Sequence, residues 1–216
     1  MDINGESKMS NRTIWLMFAC AAGGVLLAGA DAAAGAPEAT KTCAVCHSDN
    51  GVSDQTDVPT IAGVSDFFLE NQLAIFVEKA RPCAAQHFSD ESEVDAEDHC
   101  ALAASLGEDE VTELAEYYSA LPFAAVEQVA DPALAANGKS IHEAKCERCH
   151  TDGGSLALDD AGILAGQPKH YLLEQFEHYK NSERWQPEKM QPVMAELADE
   201  DMQALAEYYA GEGARE

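Results

Sequence analysis

Two five-residue runs carry the chemistry of this 216-residue chain: Cys43-Ala44-Val45-Cys46-His47 and Cys146-Glu147-Arg148-Cys149-His150. A C-x-x-C-H run is the c-type haem attachment signal. The two thiols reach the vinyl groups of one porphyrin, and the adjacent imidazole reaches its iron. The Cys-x-x-Cys spacing also serves redox dithiols and halves of zinc sites. Here both copies carry the following His, and neither has a second Cys-x-x-Cys at zinc-ribbon spacing. The motifs therefore predict two covalently attached haem c groups, held by Cys43, Cys46, Cys146 and Cys149, with His47 and His150 as the first axial ligands.

An iron that only carries electrons takes a second protein ligand. Downstream of the second motif stand Met190, Met194 and Met202. Met190 lies seven residues before Leu197, in a loop that can swing over a haem face, and is the expected ligand, with Met194 as the alternative. Met202 has a core helical position. The first unit has no methionine after Met17, and the residue seven before Leu106 is His99. Bis-histidine ligation by His47 and His99 is therefore the preferred reading. Cys100 as a thiolate, His87, or an open sixth position competes with it. A separate copper or zinc site at Cys83, His87, His99 and Cys100 has plausible ligand types. His142, His170 and His178 read as solvated histidines on helices.

The elements that must position these residues form a repeat. At a spacing of 103 residues Ile61-Ala62-Gly63 lies over Leu164-Ala165-Gly166, Phe68-Leu69 over Tyr171-Leu172, Gln72 over Gln175, Phe76 over Tyr179 and Arg81 over Arg184. These recur at helical spacing and predict one haem-packing helix per unit. A closing helix follows in each, leading into Leu114-Ala115-Glu116-Tyr117-Tyr118 and Leu205-Ala206-Glu207-Tyr208-Tyr209. Acidic residues fill both first turns, where the helix dipole favours them. Pro122 is expected to stop the first closing helix and Ala210-Gly211 the second. No stretch alternates at period two for long enough to form a sheet. The fold class is all-α, in two tandem domains: 31–122 with an inserted loop at 82–98, a linker at 123–132, and 133–216.

Residues 1–30 read as a signal peptide. Lys8 and Arg12 precede an apolar run from Ile14 to about Ala30 that contains Cys20, with small residues at its end. Retention as a membrane anchor is the competitor, but the run is short for a span. Cleavage would leave no stable membrane span in an exported, periplasmic protein of a Gram-negative bacterium. Export allows disulfides, and Cys83 and Cys100 are the mature cysteines left unassigned. A bond between them would close a loop worth on the order of 3 kcal/mol. The net charge of −26, from 39 acidic and 13 basic residues, repels nucleic acid and favours redox partners with a basic docking face. The acidic run Asp90 to Asp98 solvates the insertion or serves as such a face.

The chain resembles the dihaem class I cytochromes c, in particular the cytochrome c4 family and the dihaem subunit of flavocytochrome c sulfide dehydrogenases. The resemblance rests on Asp31 to Gly35, both C-x-x-C-H runs, Ala165-Gly166-Gln167 before Tyr171-Leu172, and Met190 before Leu197 to Asp201. It implies two domains related by an approximate two-fold axis, with haems close enough for rapid electron exchange. It also implies that Cys43, Cys46 and His47 serve one haem, and Cys146, Cys149, His150 and Met190 the other. Two departures stand out: His99 and an insertion where the family carries Met, and Gly162 where the first unit has Pro59. The expected function is electron transfer between a dehydrogenase and a terminal oxidase or other carrier. Imidazole in place of thioether would make the first haem the lower-potential centre. The alternatives are a cytochrome subunit beside a flavoprotein in a sulfur-oxidising enzyme, and a thiosulfate dehydrogenase acting at the first haem.

Overall fold

A computed structural model describes residues 35–88, 94–157 and 161–212. The expected signal segment, with Lys8, Arg12 and Cys20, lies outside the described residues, as do 89–93 of the insertion and its acidic run and the last four residues of the second domain. The described residues contain nine helices and no β-strand: α1 (Thr40–His47), α2 (Asp66–Val77), α3 (His99–Ser105), α4 (Glu108–Ser119), α5 (Pro132–Lys145), α6 (Thr151–Gly154), α7 (Lys169–Lys180), α8 (Gln191–Glu196) and α9 (Asp199–Glu212).

The repeat in the sequence is a repeat in the backbone. Helices α2 and α7 have identical bounds after a shift of 103 residues, and α4 and α9 start 91 apart. The turn after each motif is built alike. Gly51 accepts from the amides of Ile61 and Ala62, and Gly154 from those of Leu164 and Ala165. Both glycines have positive φ, +72° and +84°, a region in which a Cβ is strained. Gly63 then donates to the carbonyl of Tyr118 and Gly166 to that of Tyr209, so each closing helix is tied to its motif turn.

Local chemistry starts these helices where they start. Ser65 caps α2 by accepting from the amide of Phe68, and Asp98 caps α3 by accepting from that of Ala101. Asp131 caps α5 ahead of Pro132, whose missing N–H costs nothing in a first turn. Glu108, Asp109 and Glu110 open α4, and Asp199, Glu200 and Asp201 open α9. One expected stop is corrected. Helix α9 runs through Gly211 to Glu212, because burial of Tyr209 and Ala210 outweighs a glycine penalty of about 1 kcal/mol.

The two cores are unequal. In the second unit Leu172, Phe176, Met194, Leu197, Met202, Leu205, Tyr208 and Tyr209 form one cluster. In the first, the corresponding cluster is Phe76, Cys100 and Ala103 with Leu73 and Cys83 against it. A core that small needs a staple, and a Cys83–Cys100 disulfide lies within it.

The segment before α5, expected as a linker, is fastened to both units. Val126 donates to Gly166, the Gln128 side chain donates to Gln167, and Phe123 packs on Gly63. The units also meet directly. The Gln167 amide pairs with both backbone groups of Thr60, at 2.9 and 2.8 Å, and the amides of Tyr171 and Trp185 donate to the carbonyls of Thr56 and Ala80. Gly162 stands where the first unit has Pro59, and the ring of Phe68 occupies the space a side chain would take. A Cβ there would lie 2.7 Å from the Phe68 ring.

Candidate haem-binding sites

Helix α1 places Cys43 and Cys46 one turn apart, with His47 as its last residue. The His47 ring is fixed by a 2.8 Å hydrogen bond between Nδ1 and the Pro59 carbonyl. That bond sets the tautomer and leaves the Nε2 lone pair for a metal. Burial pushes the His47 pKa down, so the ring is neutral and able to ligate. The second motif follows α5 as a turn, closed by the amides of Cys149 and His150 donating to the Cys146 carbonyl at 3.1 and 3.0 Å.

A single cavity of about 790 Å³ runs through both units and is lined by every expected attachment and ligand residue: Cys43, Cys46, His47, His99, Cys146, Cys149, His150 and Met190. His87, the competing ligand, lines it as well. The register that pairs His99 with Met190 holds in the structure. His99 is the first residue of α3 and Met190 caps α8, while Leu106 and Leu197 close those helices with the same backbone conformation. Both positions enter the cavity from the start of a short helix that leads into the closing helix.

His99 is held tightly. Its amide donates to the Ala84 carbonyl, its neighbour Cys100 is bonded to Cys83 across a Cα separation of 5.2 Å, and its ring stacks on Phe76 at 4.0 Å. Burial, then the proximity of His47 and Arg81, pushes its pKa down to about 3. The ring is a neutral donor whose Nδ1 is buried with no hydrogen-bond partner among the described residues. The donor set fits a haem at each motif.

The competitors stand differently. Cys100 is in the disulfide and offers no thiolate. His87 Nε2 is 3.0 Å from the Asp57 carboxylate and so is already engaged. The proposed copper or zinc site at Cys83, His87, His99 and Cys100 loses both of its thiolates to the same bond. The group Cys83, Asp98 and Cys100 that converges there is the disulfide with its helix cap. Met194 and Met202 are both buried in the second core, as expected for Met202.

Sequence reasoning missed several residues. His142, read as solvated, is fully buried: Nδ1 is 2.9 Å from the Tyr209 hydroxyl and Nε2 is 2.5 Å from the Glu147 carboxylate. One imidazole among many helical positions gives no sign of that, because α5 turns this face onto α9 only in the folded chain. His170 is exposed as expected, whereas His178 is half-buried and lines the cavity. The Tyr118 and Tyr209 side chains approach Cys43 and Cys146, and burial raises both phenol pKa values. Their recurrence in the two Tyr-Tyr pairs was the available signal.

Among known proteins, the family model described as cytochrome c oxidase, cbb3-type, subunit III matches residues 133–208. Cytochrome c4 of Pseudomonas aeruginosa is 24% identical over 94% of this chain and 99% of its own. A thiosulfate dehydrogenase electron acceptor of Thiomonas intermedia is 27% identical over 83% of this chain and 82% of its own. The crystal structure of reduced cytochrome c4 from Pseudomonas stutzeri superposes with a TM-score of 0.65 at 25% identity, covering 80% of this chain and 95% of that one. In sequence and in architecture, with a class I cytochrome c domain in each half, the chain is similar to the dihaem class I cytochromes c of the cytochrome c4 family.

Proposed function

We propose that this chain is an exported dihaem c-type cytochrome that carries single electrons from a dehydrogenase to an oxidase or a further carrier in the periplasm. Cys43, Cys46 and His47 would hold one haem, and Cys146, Cys149 and His150 the other, each supplying a one-electron Fe(III)/Fe(II) couple. Met190 would complete the second site and His99 the first. The observation that carries this reading is the single cavity that joins two complete attachment motifs to a histidine on one side and a methionine on the other. Such a pair of half-buried, unlike donors is suited to moving an electron along the chain rather than to binding a substrate.

His99 is favoured over its competitors because it is neutral and lacks a partner at Nδ1 among the described residues, whereas His87 is bonded to Asp57 and Cys100 to Cys83. With imidazole at the first iron and thioether at the second, electrons would run from the amino-terminal haem to the carboxy-terminal one. The similarity to a thiosulfate dehydrogenase electron acceptor favours one particular donor, an enzyme that oxidises an inorganic sulfur compound. A basic docking face on that donor would complement the acidic surface.

Low-temperature electron paramagnetic resonance on the oxidised protein tests the ligands. Wild type is expected to show one bis-histidine and one histidine–methionine low-spin signal, and His99→Met to convert the first into the second type. Two histidine–methionine signals in wild type would refute the assignment of His99. One covalent haem per chain would refute the function itself.

A further inference from the structure

The two short helices that present the sixth-ligand candidates are held by different means. Helix α8, capped by Met190, buries Met194 and leads to Leu197, and both belong to a cluster of nine buried residues that includes parts of α7 and α9. Helix α3, which begins at His99, buries Cys100 and Ala103 against Phe76, with Leu73 and Cys83 half-buried beside them. What that small cluster has instead is the Cys83–Cys100 disulfide, with its Cα atoms 5.2 Å apart. At the equivalent places, 103 residues after Cys83 and 91 after Cys100, the second unit carries Gln186 and Gln191. The disulfide therefore belongs to the first iron's side alone.

Its position couples it to that iron. Cys100 follows His99 directly, so while the disulfide is closed a His99 ring that leaves the iron stays one residue from a covalent anchor. Little chain entropy is released, and the ring returns. The remaining ties on His99 are modest: its amide donates to the Ala84 carbonyl at 3.0 Å, and its ring stacks on Phe76 at 4.0 Å. Once the disulfide opens, the detached state gains the freedom of a loop with a sequence separation of 17. The two sulfurs also differ in access. Cys100 is 2% exposed, whereas Cys83 is half-buried in the irregular segment after α2, so a nucleophile reaches Cys83 first.

We propose that the Cys83–Cys100 disulfide is a thiol-exchange site that governs the first haem: a reducing dithiol protein of the Cys-x-x-Cys class opens it, and opening releases His99 so that the first iron takes an outside ligand. This rests on the reading of His99 as the sixth ligand. In the exchange, a thiolate of the reductant bonds to Cys83 Sγ as the Sγ–Sγ bond breaks, and Cys100 leaves as a thiolate that takes a proton from water. The reductant's second thiolate then attacks its own partner sulfur in the mixed disulfide, and Cys83 leaves and is protonated. Two electrons have passed from the dithiol, now a disulfide, to two protein thiols, and the iron keeps its valence. The coupling is reciprocal: ligation by His99 protects the disulfide by the factor by which the disulfide secures His99.

Azide binding to the oxidised, haem-loaded protein, followed by low-temperature electron paramagnetic resonance, reads the effect, because bis-histidine and histidine–methionine signals distinguish the two irons. The protein is treated with dithiothreitol and its haems are reoxidised with ferricyanide, and mass measurement after alkylation counts the thiols. Opening is expected to raise azide affinity at the first haem by up to about a hundredfold, the equivalent of about 3 kcal/mol at 1.4 kcal/mol per factor of ten. The second haem should not respond. Cys83→Ser with Cys100→Ser should reproduce the change without alkylation, and closing an unalkylated sample with oxidised glutathione should reverse it. From the other side, His99→Ala should let dithiothreitol open the disulfide at a concentration lower by the same factor, and His99→Met should restore the wild-type value.

A wild type with no bis-histidine signal before treatment refutes the ligand reading itself. With that signal present, azide affinity that changes by less than about threefold on opening, or capture of the iron by Cys100, overturns the proposal. Equal thiol–disulfide equilibria in wild type and His99→Ala overturn it as well, on protein whose disulfide has never been removed by mutation.

Discussion

Gly138→Ala is expected to destabilise the second unit, although alanine is the better helix former. Gly138 lies on α5 where that helix crosses α9, and a Cβ built on it would be 2.0 Å from the Ala204 carbonyl oxygen and 2.8 Å from the Tyr208 Cβ. The first of these neighbours is backbone and cannot rotate away. Ordinary contact begins near 3.4 Å, so the two helices would have to separate by more than an ångström. Overpacking of this kind costs about 1–3 kcal/mol, here at the upper end because the obstacle is rigid. Higher helix propensity returns about 1 kcal/mol. The net loss is about 2 kcal/mol, or about 4–8 °C in melting temperature for a chain of this size. Helix α9 also carries Leu205 and Tyr209, which line the haem cavity, so the displacement would reach the second site. Urea titration of the oxidised, haem-loaded protein by far-ultraviolet circular dichroism measures it, read as a lower midpoint at unchanged slope. A variant as stable as wild type, or more stable, would show that the helices do not cross at this glycine.

Removing the staple of the first unit should act locally and on the iron. Cys83→Ala with Cys100→Ala opens a loop spanning a sequence separation of 17, for which chain entropy gives about 3 kcal/mol. The double variant should unfold at lower urea and, if His99 ligates as proposed, broaden the resonance signal of the first haem while leaving that of the second unchanged. A third measurement concerns acid. The hydrogen bond from His142, followed by those from the Asp152 and Gly153 amides, holds the Glu147 carboxyl below the ordinary range. A depressed carboxyl contributes stability above its unfolded pKa and loses it as pH falls through the folded value. Glu147→Gln should therefore be less stable than wild type near neutrality and show a shallower decline on acidification, with the two converging at low pH. Parallel curves across that range would rule out this linkage.

The attachment motifs were legible because covalent chemistry demands fixed residue types at fixed spacing, and Cys-x-x-Cys-His allows little variation. The helices were legible because each unit repeats its apolar period, its acidic first turns and its turn glycines. The seven-residue register from His99 to Leu106 and from Met190 to Leu197 survived because a short helix of similar length spans it in both units. The burial of His142 was not legible, since it depends on which face of α5 meets α9 at Gly138. The course of α9 past Gly211 depended likewise on packing that propensity does not report.

Arg81 and Arg184 mark the boundary between the two kinds of knowledge. Their recurrence at a spacing of 103 residues was visible in the sequence, and so was that of Gln72 and Gln175. A one-dimensional repeat cannot say whether equivalent residues face each other or point apart. That is decided by the contact between the halves, where Thr60 pairs with Gln167 and Phe68 fills the space above Gly162. Local spacing determined what each unit can hold. Only the docking of the units, set by long-range packing and hydrogen bonds, determined that the two cavities join and that two cations are buried where they do.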